Sequence, residues 1–538
     1  LRHRGTFAPL MEAHCIPIAA TKRFPALVVD YLADAEGTRD LHAGRPDREG
    51  LSAAARARSF DGTQRAVLVQ ALHRQYAGLE PGAAVAANLE RLARPDALTV
   101  TTGHQLVLFG GPLYVPFKLL NTIRTARELE ATLGRPVVPI FWMATEDHDR
   151  AEIDHTWFGE HRLHWPGAAA GAVGRLHLEG IGPVVEEAVA HLGAGAQAAD
   201  MAALLRACYG PEYTLAEATR RFVHALFGRF GLVILDGDDP ELKRLFVPVL
   251  RRELTEQVAH AAVSRTNAQL ADRYGAQAHV REINLFHLRP GHRSRIVAEG
   301  TSFRALDGGP TWTREALLAE VEGHPEHFSP NVLLRPVYQE TILPNVAYIG
   351  GAGELAYWLQ LRGLFDDLKV PMPRLVLRNS AAFMGEKTLR RWHDLGLSLE
   401  DLFEPQDPLQ ARVAAARAGF RTELSEERSR LSAFYNELLA TATAADPTLR
   451  GSVEARRASA FHGLDRLERS LLRAARQRED VAVRHMQTAQ DALFPGGVLQ
   501  ERRQNILPML AAYGTEQLEF LLDRLDPFTP GLTLFVEP

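Results

Sequence analysis

Cysteine is nearly missing from this chain: 538 residues hold two, Cys15 and Cys208. That excludes a disulfide framework and a cysteine-built metal cluster, and both thiols read as inert core residues. Lysine is almost as scarce. Lys22, Lys118, Lys243, Lys369 and Lys387 are all there are, in a chain rich in arginine and alanine, so a lysine inside a motif stands out. No apolar run approaches the roughly 18 residues that cross a membrane, and the N-terminus carries no secretory pattern. A formal net charge of -5 gives no global attraction to nucleic acid or anionic membrane. A cytoplasmic enzyme is the expectation these absences leave. The chain begins with Leu1; Met11 reads as the native start, and residues 1–10 are given no weight.

What is present is ordinary globular material, long enough for several cores of ~100–200 residues or one core with large insertions. Five short apolar runs end in polar or glycine-rich exits. Ala97-Leu98-Thr99-Val100 leads into TTGHQ, and Val137 to Ala144 into EDHD. Gly231 to Leu235 leads into DGDD, Val346 to Ile349 into Gly350-Gly351, and Leu375 to Leu377 into Arg378-Asn379-Ser380. Length and branched residues make each a strand. Between the first two, Leu113, Phe117, Leu120 and Ile123 follow helical spacing. Pro112 suits the opening turn of that helix, whereas Pro116 predicts a delayed start or a kink. Strands separated by helices predict a parallel α/β sheet covered on both faces, with ligands bound outside the strands' carboxyl ends. The stretches at about 155–225 and 252–330 break the repeat and read as insertions. The second includes HVREINLFHL and RSRIVAEG, short strands of a small mixed subdomain.

From about 385 the pattern changes. Phe420, Leu424, Leu431, Phe434 and Leu438 repeat at helical spacing, as do Ala460, Leu464, Leu467 and Leu471. TATAADPTLRGS separates them, and Asp446-Pro447 is a helix-start signal. Two long helices with a short turn predict an antiparallel coiled-coil pair. With so little core of its own, the pair must pack on a second copy or back onto the core. The expected division is a core over 1–384, an arm over 385–493 and a segment over 494–538 that returns to the core.

Three stretches could carry chemistry. TTGHQLVLFGGPLYVPFK (101–118) joins a strand, a glycine turn and a helix start. That geometry can bind an anion through free backbone N–H groups or serve only as a tight turn; neither Walker nor dinucleotide glycine spacing is present. EDHD (146–149) could hold a divalent metal, supply a general base or hold an ammonium group; equally, its acids could oppose a helix dipole. In NVLLRPVYQETILPNVAYIGGAGELAYW (331–358), Arg335 can fork a carboxylate and Gln339 can fix a polar group.

Taken together, TGHQ…GGPLYVPFK at 102–118, VPIFWMATEDHD at 138–149, the 329–358 stretch, PRLVLRNS at 373–380 and FPGGVLQERRQN at 494–505 resemble the BshC family, the cysteine-adding enzymes of bacillithiol synthesis. The segments run in the family's order. Two departures stand out: the family pattern permits Gln where this chain has His104, and Ala352 stands in the proline place of a frequent Gly-Gly-Pro-Gly turn. The resemblance implies a Rossmann-like core with connecting-peptide insertions plus a long antiparallel coiled-coil arm supporting a homodimer. It implies addition of L-cysteine to the amino group of glucosaminyl-malate through an activated cysteinyl group, with ATP as the expected activator and a divalent metal left open. By fold analogy with class I aminoacyl-tRNA synthetases, TGHQ would lie at a nucleotide site and 378–387 would form a mobile lysine loop. The candidate catalytic residues are Asp147, His148, His104, Glu146 and Asp149. The candidate substrate-binding residues are Thr102, Gly103, Gln105, Gly110, Gly111, Lys118, Asn331, Arg335, Gln339, Gly350, Gly351, Glu354, Tyr357, Arg378 and Ser380. A nucleotidyltransferase or other adenylate-forming enzyme acting on a different acid and a non-catalytic assembly protein using the arm are the competing readings.

Overall fold

A computed structural model describes residues 11–167 and 170–538; residues 1–10, set aside above, lie outside the described residues. The chain forms two compact units. One comprises 17–381 and 500–533, the other 11–16, 382–499 and 534–538.

The first unit is built on five strands: β1 (Leu98–His104), β2 (Val137–Met143), β3 (Val233–Asp236), β4 (Asn345–Gly350) and β5 (Arg374–Leu377). Their order is β5-β4-β1-β2-β3, and every neighbouring pair is parallel. All five apolar runs are therefore strands of one sheet. Every residue of β2 is buried, as is β1 up to Gly103; helical crossovers on both faces explain such unbroken burial. β1 runs further than its apolar start suggested. Threonines suit a strand, so TTGH stays in the ladder and His104 pairs with Met143. The chain builds outward from β1 to β3, then returns to the other side of β1 for β4 and β5. The reversal between β1 and β4 leaves an open crevice at their carboxyl ends, where α/β sheets bind ligands.

Helix α1 (Tyr114–Leu133) makes the first crossover. It starts two residues after Pro112 and places Pro116 in its first turn, where the missing N–H costs nothing. Left-handed Gly134 ends it. Helix α2 (Arg335–Ile342) precedes β4, and α3 (Ala352–Trp358) follows it.

The first insertion holds the hairpin His155–Phe158/His161–His164 and helices Ile181–Ala190, Ala196–Cys208 and Leu215–Phe227. The second holds a five-stranded sheet, ordered Thr311–Thr313, Ser302–Ala305, His292–Glu299, Leu285–Arg289 and Phe328–Pro330. All its pairs are antiparallel, and helix Arg314–Gly323 follows its edge strand. HVRE is not a strand. Asn284 Oδ1 accepts the Arg281 N–H, and buried Glu253 accepts the N–H of Asn284; side chains take the bonds a ladder would need.

The segment 500–533 belongs to the first unit. Asn505 Nδ2 donates to Phe109 O and Gly111 O, each at 3.0 Å, and to Thr156 Oγ1. Leu113 N donates to Gln504 O at 2.7 Å. The return segment thus holds the β1–α1 turn.

The second unit carries the arm: α4 (Ser425–Ala445) and α5 (Arg450–Arg478), joined by the turn Pro447–Leu449. The Asp446 carboxylate caps that turn by accepting Thr448 N at 2.8 Å. Polar contacts bridge the hairpin, with Arg428 reaching Asp465 at 2.6 Å and Glu468 at 2.9 Å. No residue of α4 is buried, and Phe434 and Leu467 are half exposed. A separate three-stranded sheet places Gly531–Glu537 between Glu12–Pro17 and Ser380–Gly385.

Candidate functional site

A cavity of about 790 Å³ opens at the carboxyl ends of β1, β2 and β4. Among the candidate residues, Gly103, His104, Gln105, Glu146, Asp147, His148, Asn331, Arg335, Glu354 and Tyr357 line it. Stretches separated by more than two hundred positions therefore meet at the predicted rim.

EDHD divides into four jobs. Glu146 turns inward, and Lys243 Nζ lies 2.7 Å from its Oε1 and 2.8 Å from Asp238. Burial raises the Glu146 carboxyl, partly countered by Lys243. Asp147 faces the cleft. Its Oδ2 accepts Gln105 Nε2 at 2.8 Å and its Oδ1 accepts His148 N at 2.7 Å, with Arg293 Nη1 at 3.5 Å. Burial acts to raise its pKa; bonds from His148 and Gln105, with the Arg293 charge, overcome that and hold the carboxyl below its usual range. His148 Nδ1 lies 2.9 Å from Arg293 Nη1. Asp149 caps the short helix Arg150–Ile153 through Glu152 N at 3.3 Å and does not line the cavity. For that one residue the helix-start reading describes the geometry.

Arg335 lines the same cavity. Its guanidinium lies about 6 Å from the ring centres of Trp142, Tyr348 and Trp358. Nη1 donates to Gln339 Oε1 at 3.0 Å. Burial works against its charge, and Tyr348, Tyr357 and Glu354 maintain it. Among the described residues, no carboxylate forms an ion pair with it. Gly103 leaves the approach open; a Cβ there would lie 3.4 Å from Nη1. Behind it, Gln339 Nε2 and Asn345 Nδ2 both donate to Glu340 Oε1 at 2.8 Å. Burial pushes the Glu340 carboxyl up to about 7.

His104 is sunk at the end of β1. Burial, then the Lys118 and Arg378 charges, push its pKa well below the usual imidazole range, so the ring is neutral. Its Nε2 lies 3.3 Å from Tyr114 Oη, a residue whose own pKa burial pushes up to about 12.

Other candidates point elsewhere. Lys118, expected to meet substrate or face away, is buried: Nζ donates to Gly103 O at 2.6 Å and to Glu354 at 2.7 and 2.9 Å. Arg378 is engaged by Glu501, with Nη1–Oε2 at 3.0 Å and Nη2–Oε1 at 2.8 Å, and both side chains are buried. Ser380 Oγ donates to the same carboxylate. Neither can receive malate without breaking this group. The expected lysine loop at 378–387 is strand Ser380–Gly385 followed by helix Glu386–His393, with Lys387 exposed. Thr102 Oγ1 donates to Ile349 O, and Gln339 is spent on Arg335 and Glu340.

The glycine turn is not an open anion cradle. The N–H groups of Gly110, Gly111, Leu113 and Val115 all donate to protein carbonyls. Gly110 and Gly111 are there for conformation: φ is 80° and 71°, and a Cβ would meet Phe222 at 2.6 Å or Val107 at 2.9 Å. At Gly350 a Cβ would lie 2.5 Å from Leu355, so that glycine serves packing. Gly351 begins α3 outside the cavity lining.

Sequence reading missed Arg293, which the antiparallel insertion delivers to the cleft. It stacks 4.1 Å from Phe286, donates to Ser329 Oγ and Pro330 O, and meets Asp147 and His148. Only the arginine inside a strand-like run, RSRIVAEG, hinted at it.

Two family models match the chain. The bacillithiol biosynthesis BshC N-terminal Rossmann-like domain covers residues 11–379, and the BshC C-terminal coiled-coil domain covers 381–535. A Flavobacterium johnsoniae protein is 36% identical over 96% of this chain and 98% of its own length. Flavobacterium psychrophilum and Christiangramia forsetii proteins are also 36% identical, over 97% and 96% of this chain and 99% and 98% of theirs. All three carry the name "Putative cysteine ligase BshC".

Two outcomes follow from this geometry. Asp147→Asn should cut turnover at least ~10-fold, because it faces the cleft, and should also lower the melting temperature, because the fold favours its charged form; Asp149→Ala should cost about 1 kcal/mol of stability and leave turnover intact. Initial rates and thermal melts separate them. Glu340 has its carboxyl raised from 4.5 to about 7. Its stabilising effect is fully present below pH 4.5 and is lost as pH rises through 7, so Glu340→Gln should flatten the fall in stability across that window. The difference should be at most about 3 kcal/mol at pH 8, read by denaturant titration.

Proposed function

Since the chain belongs to the BshC family of bacillithiol biosynthesis, we propose that it joins the carboxyl of L-cysteine to the amino group of glucosaminyl-malate. The observation that supports this most directly is Arg335: a half-buried cation lining the cleft, without a carboxylate ion-pair partner among the described residues, in the same cavity as the ionised acid Asp147. A carboxylate entering the cleft gains a forked, charge-assisted pair with Arg335. An ammonium group gains Asp147, which is held in place by Gln105 and Arg293. Malate carries two carboxylates and glucosamine one amine, so glucosaminyl-malate suits this division of charge.

Amide formation removes water from a carboxylate and an ammonium, and a free carboxylate resists attack. ATP is the proposed co-substrate and would supply the activation. The closed glycine turn argues that its phosphates would meet side chains, and Arg281 and Arg295 also line the cavity. The attacking nitrogen must shed a proton. Asp147 is too acidic to be an efficient base at neutral pH, so its proposed work is to bind and aim the amine. Neutral His104, beside Tyr114, is placed to form a hydrogen bond without adding charge. Of the EDHD carboxylates, Glu146 lines the cavity but is already paired with Lys243, and Asp149 lies outside the lining; no cation site is proposed there. We place the reaction in the cytoplasm; among the described residues no helix is long and apolar enough to cross a membrane.

Purified protein given L-cysteine, glucosaminyl-malate and ATP should yield a product with the mass of bacillithiol. Arg335→Gln should lower kcat/KM by about 10- to 100-fold, the worth of a charge-assisted pair. No product with any nucleotide or metal overturns the proposal, and adenylate exchange with other acids favours a different acyl substrate. We further propose that the arm pairs with a second copy over the exposed Phe434 and Leu467. Sedimentation should show a dimer that the double variant Phe434→Glu/Leu467→Glu converts to monomer; a monomeric parent chain rejects this.

A further inference from the structure

We propose that His287, Glu320 and His327, in the antiparallel insertion, form a divalent-metal site suited to zinc. The three come from separate elements: His287 from strand Leu285–Arg289, Glu320 from helix Arg314–Gly323 and His327 from the turn Pro325–His327. One oxygen, Glu320 Oε1, lies 3.0 Å from His287 Nε2 and 3.1 Å from His327 Nδ1. The three donor atoms fall within 4.8 Å of one another. Zinc bonds of ~2.0–2.1 Å in a tetrahedron set neighbouring donors about 3.3 Å apart, so a small spreading of this cluster admits the ion.

The second carboxylate oxygen is already oriented. Trp312 Nε1 donates to Glu320 Oε2 at 2.5 Å, the kind of outer contact that aims a metal-bound carboxylate. His287 is buried while His327 is 43% exposed, which gives the cluster a closed base and an open mouth. At that mouth His324 stacks on His327, with ring centres 5.0 Å apart, and its Nδ1 lies 3.1 Å from Glu326. His324, Glu326 and His327 form a second donor group that shares His327. Two imidazoles and a carboxylate are a common zinc set and a poor one for calcium or magnesium. Two hydrogen bonds to one oxygen would account for the apo geometry; they do not account for the extra donors gathered at the exposed side.

The consequence is structural. A zinc ion here would clip a helix and a turn to the strand Leu285–Arg289, whose Leu288 pairs with Arg293. It would stiffen the hairpin that carries Arg293 without touching the reacting groups.

The test uses full-length protein stripped with chelator. Zn(II) titrated by calorimetry should bind stoichiometrically and raise the melting temperature, and Co(II) should give visible bands of tetrahedral geometry that Zn(II) removes. Glu320→Gln and His327→Gln should abolish those bands, and Trp312→Phe should weaken affinity ~10–100-fold. Asp147→Asn should leave them intact. His327→Gln alters a surface side chain, and its unchanged apo melt would exclude misfolding. Absence of binding, or binding that survives in His327→Gln and Glu320→Gln alike, overturns the proposal. Because the readouts are metal binding and melting, failure here is separate from failure of the ligase reading.

Discussion

One buried ammonium holds the two halves of the sheet's crevice in register. Lys118 extends from α1 to the Gly103 carbonyl on β1 and to Glu354 on α3, so it spans the point where strand order reverses. Burial lowers its pKa and Glu354 opposes that. Removing one partner of such a pair leaves an uncompensated charge, at a cost of about 3–5 kcal/mol. Tyr348 also donates to Glu354 at 2.8 Å, which ties β4 to the same carboxylate. Arg335 sits against Tyr348, and His104 feels the Lys118 charge. The side of the cleft around His104 thus takes part of its electrostatics from a residue that never reaches the surface.

The fold was largely legible in the sequence because apolar runs and helical spacing report burial directly. The five strands, the α1 face and the arm hairpin all follow from those two periodicities. The cleft was legible for a second reason: polar exits at strand ends collect along one edge in any parallel sheet, so Gly103, His104, Asp147 and Glu354 could be placed together without knowing the contacts between them.

Charge partners were not legible. Arg378 looks like a ligand for malate in sequence, yet its counterion Glu501 stands 123 positions away. Arg293 reaches Asp147 from 146 positions away, by way of strands whose antiparallel pairing no local pattern reveals. The glycine turn misled similarly. Gly110 and Gly111 signal backbone freedom, and only the three-dimensional contacts show that neighbouring carbonyls and Asn505 consume it. Scarcity of lysine did carry information: Lys118 and Lys243, two of five, are wholly buried beneath the cleft.

The three-stranded sheet has a consequence for how the chain matures. Its middle strand is Gly531–Glu537, flanked by Glu12–Pro17 and Ser380–Gly385. Neither flanking strand has its neighbour until residue 537 has left the ribosome tunnel. During synthesis both therefore present bare backbone edges, open to wrong pairing. The sheet closes only after translation has passed its last strand in chain order, which makes that strand the latch for a segment made long before it.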